Sequence, residues 1–238
     1  MYYPYYGYGS GYGFDYFWLL VIPAFILSLI AQLVVNSTYR RYSKVPTQRG
    51  VTGDRVARMI LDANGLQSVN IEHISGNLTD HYDPQANVIR LSDSTYGNDS
   101  VAAAGVAAHE AGHAVQYAEG YGPIKLRAAI IPVTQIGAGL SWPAILLGVL
   151  MSIDFLITLG ILLFSLSVVF QLVTLPVEFN ASHRAVTVLE GYGVLDTQEL
   201  DGAKKVLRAA AWTYIAALAV SLANLLRLIL MFGGRRRN

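Results

Sequence analysis

The sequence has no cysteine and few charged residues, and each shortage excludes a class of protein. Without cysteine there are no disulfides and no thiolate metal ligands, so a metal ion would need histidine and carboxylate ligands. Only 14% of the 238 residues are charged, whereas an average soluble domain carries about 25%. This shortage indicates a membrane protein with one modest globular portion. The net charge of +1 does not favour nucleic acid as a partner.

The most informative stretch is His-Glu-Ala-Gly-His at positions 109–113. On a helix, His109 and His113 lie one above the other on a single face, so both imidazoles reach one zinc ion. Glu110 projects from a neighbouring face and can take a proton from a zinc-activated water. The surrounding alanines favour a helix, and Gly112 allows another backbone to come close. The alternative is two ordinary histidines on a helix near the membrane.

Long apolar runs divide the chain and predict a mainly α membrane protein with about four transmembrane helices. The first three runs are uncharged, and the fourth is interrupted by Arg227. A small α+β, zincin-like cytoplasmic portion carries the HExxH helix. The predicted parts are a Tyr/Gly-rich arm (1–16), transmembrane helix 1 (17–35), the cytoplasmic α+β portion (36–127), a transmembrane hairpin of helices 2 and 3 (128–175), cytoplasmic helices with the third ligand (176–209), transmembrane helix 4 (210–232) and a basic tail (233–238).

Local signals predict elements within the polar parts. Thr52 is expected to cap a helix that runs to Asn64, and residues 69–74 and 87–91 are predicted strands with turns between them. A sheet edge beside the HExxH helix could hold an extended peptide. Pro176 is expected to begin a new helix, and residues 197–209 are predicted to form a short helix separate from the fourth span.

Charge asymmetry predicts the orientation in the cell membrane. Four cations, Arg40, Arg41, Lys44 and Arg49, follow the first span directly, so this end should face the cytoplasm. Two predicted spans separate residue 113 from residue 178, which places both on that cytoplasmic side. With four spans, the arginines at 235–237 in the tail would lie outside the cell, which disagrees with the rule that positive charges stay on the cytoplasmic side.

A zinc hydrolase needs three protein ligands and an open position. Glu178 is the preferred third ligand, because it lies at the membrane boundary on the same side as the paired histidines. His183 is the rival, although five residues turn it about 140° away on a helix. Three residues could donate a hydrogen bond to the oxyanion, and nothing in the sequence chooses among Arg184, His183 and Tyr192.

Two stretches resemble the YugP-like membrane zinc metallopeptidases: His-Glu-Ala-Gly-His-Ala-Val-Gln at 109–116 and Leu-Pro-Val-Glu-Phe-Asn-Ala-Ser at 175–182. More distantly, the chain is similar to the HtpX and prenyl-protein protease group of gluzincins, where an E-x-x-A-D helix supplies a glutamate ligand. The resemblance implies one Zn²⁺ bound by His109, His113 and Glu178. Ser182 replaces the aspartate that supports a ligand histidine in that wider group, and its hydroxyl could make the same hydrogen bond without charge.

The leading hypothesis is an integral-membrane zinc endopeptidase in which Glu110 is the general base. Its expected partners are the lipid bilayer and a peptide or protein substrate, which includes membrane proteins. The alternative is a catalytically silent zinc-binding scaffold or adaptor. A transporter is a weaker hypothesis, since the spans contain no charge pair and no internal repeat.

Overall fold

The computed structural model describes residues 18–233, and the arm at 1–16 and all but the first residue of the tail at 233–238 lie outside that range. Within it there are six helices and three strands. The elements are α1 (Trp18–Tyr42), α2 (Gly53–Ala63), β1 (Asn70–Ile74), β2 (His81–Asp83), β3 (Val88–Ser92), α3 (Val101–Ala118), α4 (Gly122–Leu150), α5 (Asp154–Gly191) and α6 (Thr197–Gly233).

Four of these helices, α1, α4, α5 and α6, are long and apolar enough to cross a membrane. Their apolar side chains are largely exposed, as expected for surfaces that face lipid rather than water; Leu33 and Phe155, for example, are 68% and 71% exposed. In the described chain, α1 packs along α6, and α4 packs along α5 as a hairpin. The mainly helical fold with four candidate membrane spans agrees with the prediction.

The α4–α5 hairpin is held by close backbone contact. A Cβ atom added to Gly160 would lie only 2.7 Å from the backbone oxygen of Ser141, so only glycine fits there. Small residues at such contacts let membrane helices gain van der Waals energy that lipid cannot replace. The hairpin therefore fixes where the end of α5 emerges beside α3.

Two helix boundaries differ from the sequence-based expectation. Pro176 does not begin a helix but lies inside α5, and residues 197–209 form one continuous helix with the fourth span, α6. Proline removes only one helical hydrogen bond, and membrane helices tolerate it where neighbouring helices hold both sides in place. Val177 and Ala181, just beyond the proline, are fully buried. Their packing keeps α5 straight enough to continue.

The polar portion contains α2, α3 and a sheet of order β1-β3-β2. The predicted helix and two strands are present, with Thr52 at the N-cap position of α2 and Asn64 at its C-cap, although the Thr52 side chain makes no capping hydrogen bond. The sequence analysis missed β2, a three-residue strand that ends at the turn formed by Asp83 and Pro84. Because β2 pairs with β3 alone, it is an edge strand, and it contacts α3.

Helix α3 occupies the centre of this portion. Ser100 caps it by accepting a hydrogen bond from the backbone N–H of Ala103 at 3.2 Å. Fourteen of its eighteen residues are buried, and most of them are alanine or glycine. Such small side chains let α2, α5 and α6 pack closely against α3, so its few polar side chains are placed by tightly packed neighbours.

Candidate metal centre

Three side chains with metal-binding atoms converge between α3 and α5. One nitrogen or oxygen from each of His109, His113 and Glu178 lies within 4.8 Å of the others. The Nε2 atoms of His109 and His113 face the same carboxylate oxygen, Glu178 Oε2, at 3.2 and 3.6 Å. Two imidazoles and one carboxylate form a donor set that suits zinc. The residues present therefore fit the ion that the sequence predicts.

Each histidine is oriented through its second ring nitrogen. The Nδ1 atom of His109 lies 3.2 Å from Ser182 Oγ, and Nδ1 of His113 lies 3.0 Å from Gln116 Oε1. The Ser182 contact is the hydrogen bond that the sequence analysis allowed for. Since the Gln116 carbonyl can only accept, the His113 proton belongs on Nδ1, which leaves the Nε2 lone pair free for a metal.

Gln116 is itself held rigidly across the helix interface. It is fully buried, and its side-chain amide donates to the Val177 carbonyl and to Asn180 Oδ1, both at 2.9 Å. The same Asn180 oxygen also accepts a hydrogen bond from Arg184 Nε at 2.8 Å. This network fixes the ring of His113.

The electrostatic surroundings favour a cation. Burial by itself would lower the pKa of His113, but the hydrogen bond to Glu178 and the charges of Glu110 and Glu178 raise that pKa above its ordinary value. Glu178 is only 3% exposed. A buried carboxylate needs a positive partner, and a metal ion between the three side chains would supply that partner.

Glu110 lies on the same helix beside this cluster. Its Oε2 accepts a hydrogen bond from the backbone N–H of Tyr82 at 3.0 Å, which ties the carboxylate to the edge strand β2. Glu110 as a whole is 9% exposed. The side chain therefore has a fixed position and still borders open space.

That space is a cavity of about 420 Å³ between β2, α3 and the membrane ends of α4, α5 and α6. The paired histidines, Glu110 and Glu178 line it together with the chain from Asp80 to Gln85. Its other walls are Tyr117, Ile124, Arg127, Ala128, Ile131, Pro132 and Tyr214. Burial raises the pKa of Tyr82 and of Tyr117, so both remain neutral phenols at neutral pH.

Two residues that the sequence analysis missed contact the ligand carboxylate. Arg127 Nη1 lies 3.1 Å from Glu178 Oε1, and the Tyr214 hydroxyl also interacts with this side chain. Arg127 lies near the start of α4 and Tyr214 lies in α6, so their meeting depends on how these helices pack. Gln116 was also missed, although its position three residues after His113 places it on the same helix face.

The three oxyanion donors considered from the sequence lie elsewhere. His183 and Arg184 line a separate cavity on the other side of α3, and Arg184 forms an ion pair with Glu119 at 2.6 Å. Tyr192 is 51% exposed at the end of α5. The structure brings none of them to the metal cluster.

The chain is similar to known proteins over most of its length. Residues 17–233 match the model of a family described as "Putative neutral zinc metallopeptidase". A protein of Bacillus subtilis (strain 168) named "Putative membrane protease YugP" is 48% identical over 223 residues, which cover 93% of this chain and 99% of the relative. No solved structure matches the chain.

The chain belongs to this zinc metallopeptidase family, which is the YugP-like family that the motifs resemble. With four helices long and apolar enough to cross a bilayer, and a relative named as a membrane protease, it is a membrane protein.

Proposed function

We propose that this family member is an integral-membrane, gluzincin-like endopeptidase that uses one zinc ion and opens its active site to the cytoplasm. The observation that carries the proposal is the convergence of His109, His113 and Glu178 beside Glu110 on the wall of one cavity. A zinc-binding scaffold would need the three ligands, but it would have no use for the additional carboxylate of Glu110 at the same opening.

The paired histidines and Glu178 would hold the ion, each through the atom that already faces the cluster. When bound there, zinc makes a water molecule more acidic and polarises the carbonyl of the peptide bond. Arg127 holds the far oxygen of the Glu178 carboxylate, Oε1, so this side chain presents Oε2 to the histidines.

Glu110 acts as the general base. Its carboxylate accepts the proton of the attacking water and then passes that proton to the leaving amine. The Tyr82 N–H fixes Oε2, so Oε1 is the oxygen left to move the proton. The edge strand therefore orients the base.

The same edge strand offers a place for the substrate. Within a strand, the N–H and C=O of one residue point to the same side, so the Tyr82 carbonyl points away from β3, as its N–H does. An extended peptide could donate to this carbonyl and lie across the cavity above Glu110. This contact uses only backbone groups, and it therefore fits peptides of varied sequence.

Tyr214 is the residue we assign to the oxyanion in place of the three donors considered from sequence. Its phenol lines the cavity next to Glu178, within a region where burial strengthens a hydrogen bond to developing charge. Arg127 adds positive charge at the same wall.

The cytoplasmic orientation rests on the basic loop that follows α1, because the α4–α5 turn at 151–153 has no cation. The absence of cysteine makes a direct test possible. Asn77→Cys in the exposed β1–β2 loop should resist an impermeant maleimide added to intact cells, while Ser152→Cys at the opposite turn should react. The reverse pattern would refute the orientation and leave the chemistry untouched.

The chemistry is tested with the Glu110→Gln variant of the full chain purified in detergent. We expect cleavage of an unstructured protein substrate such as casein to fall by about 10² to 10⁴-fold, the scale of a lost general base, while zinc content stays at the wild-type level. The matched control is Glu190→Gln, an exposed carboxylate at the end of α5 and outside the cavity, which should retain activity. Cleavage by Glu110→Gln at the wild-type rate would refute the assignment of Glu110 as the base, whereas a zinc-loaded wild type that cleaves nothing would support the silent scaffold.

A further inference from the structure

A groove of about 510 Å³ runs between α1 and α6, well away from the metal cluster. Three cations, Arg41, Lys205 and Arg208, line it, and Ser37, Thr38 and Tyr42 provide hydroxyl groups. Its remaining wall is apolar and consists of Val34, Ala209 and Trp212. A strongly basic floor beside an apolar wall is unusual on a chain with a net charge of only +1.

The groove lies where both helices change from apolar to polar. The apolar run of α1 ends at Val35, a few residues before Arg40, and the uncharged run of α6 begins directly after Arg208. The two helices pack together with these ends side by side. Trp212 is 49% exposed there, at the depth where tryptophan prefers the membrane–water interface. The groove is therefore level with lipid headgroups.

The cations have little internal compensation. Within residues 18–233, no carboxylate lies within 4 Å of Arg41 or Arg208, and Lys205 is 3.9 Å from Asp201 in a pair that is exposed on both sides. An exposed pair at that distance contributes little. Among residues 18–233, Asp201 is thus the only carboxylate within 4 Å of these three positive charges, and it contacts Lys205 alone.

We propose that this groove binds the phosphate headgroup of an anionic phospholipid. The cations would contact the phosphate, and Val34 and Trp212 would contact the upper acyl chain along the exposed side of α1 and α6. A soluble anion would use the floor alone and gain nothing from the apolar wall. Basic pockets between membrane helices are suited to such headgroups.

The test uses the full chain in detergent and native mass spectrometry with phosphatidylglycerol and phosphatidylcholine of identical acyl chains. Phosphatidylglycerol should bind the wild type more tightly. The variant Arg41→Gln/Lys205→Gln/Arg208→Gln should bind it roughly a hundredfold more weakly, since each cation near anionic lipid contributes about a factor of five. Arg41→Lys/Arg208→Lys keeps the charge and should retain most of the binding.

The matched control is the variant Lys44→Gln/Arg49→Gln/Arg55→Gln, which removes the same number of positive charges. These three cations are exposed and do not line the groove. It should leave phosphatidylglycerol binding nearly unchanged. Equal losses in both triple variants, or equal binding of the two lipids by the wild type, would overturn the proposal. Displacement of the lipid by inorganic phosphate alone would assign the groove to a soluble anion and would overturn it as well.

Discussion

Two cavities flank the contact between α3 and α5, and they share no lining residue. The larger, of about 420 Å³, contains the paired histidines, Glu110 and Glu178. The smaller, of about 320 Å³, is bordered by Ala108 and Gly112 from α3 and by His183 from α5. Helices α3 and α5 thus place metal-binding side chains on only one side of their contact. Glu178 and His183, the two candidates for the third ligand, line different cavities.

The difference shows how helical geometry separates neighbours in sequence. Glu178 and Ser182 are four residues apart and both contact His109, whereas His183 is turned away into the smaller cavity. That second cavity still supports the first. A chain of hydrogen bonds runs from Arg184 through Asn180 to Gln116, which holds the ring of His113.

The largest effect should separate the two ligand candidates. Glu178→Ala should abolish stable zinc binding, with a loss of affinity well above the roughly 10- to 100-fold that lost outer partners of a metal ligand cost. His183→Ala, five residues along the same helix, should leave zinc content unchanged. Metal analysis of both purified variants after dialysis checks this. Zinc loss in His183→Ala with retention in Glu178→Ala would reverse the assignment of the two cavities.

The next effect concerns the donor to the oxyanion. Tyr214→Phe removes one hydroxyl from the wall of the larger cavity, and we expect kcat to fall about 100-fold with zinc content unchanged, the scale of one lost oxyanion donor. Tyr192→Phe is the matched control, because Tyr192 is exposed at the end of α5. Steady-state kinetics on the same substrate gives kcat for both. A larger loss in Tyr192→Phe would contradict the assignment.

Sequence reasoning reached only part of this arrangement. Helical spacing puts His109, Glu110 and His113 on one stretch of helix, and Glu178 was predicted from its place at the membrane boundary on the same side. The structure brings Glu178 within 4.8 Å of both histidines, and the roles of these residues stay predictions. Arg127 and Tyr214 could not be found in this way. Each occupies an ordinary position for its residue type near a membrane boundary, and only the packing of α4 and α6 against α5 brings them to Glu178.

The fold shows the same division between local and tertiary causes. Apolar runs predicted the four long helices, and the observed ends of α2, β1 and β3 lie close to the turn and cap residues that predicted them. Two misses have tertiary causes. Pro176 is a local signal for a helix start, but α5 continues as a helix past this proline because it packs against α3. Strand β2 is too short for a periodic pattern and exists because β3 pairs with it.

A smaller effect should come from the support of His109. Ser182→Ala removes the hydroxyl next to Nδ1, and zinc affinity should fall about 10-fold, at the lower end of such losses because the hydroxyl is neutral. Ser182→Asp should restore or raise the affinity. Thr187→Val, on the wall of the smaller cavity, is the control and should have no effect in a competitive zinc titration. An unchanged affinity in Ser182→Ala would show that this contact does not orient the ring.

The smallest effect tests the close contact of α3 with α5 that separates the cavities. A Cβ at Gly112 would lie 3.0 Å from the backbone oxygen of Ala181, and a helix backbone cannot yield as a flexible side chain can. We expect Gly112→Ala to cost about 1 kcal/mol after its gain in helix propensity, or about 2–4 °C in Tm. Gly139→Ala, with nothing within 4 Å of the added Cβ, should leave Tm unchanged or raise it. If Gly112→Ala were as stable as Gly139→Ala, the close contact would have been relieved by a shift of α5 away from α3. Glu178 and Ser182 lie near Ala181 on α5 and would move with it. The zinc affinity of this stable variant would therefore fall.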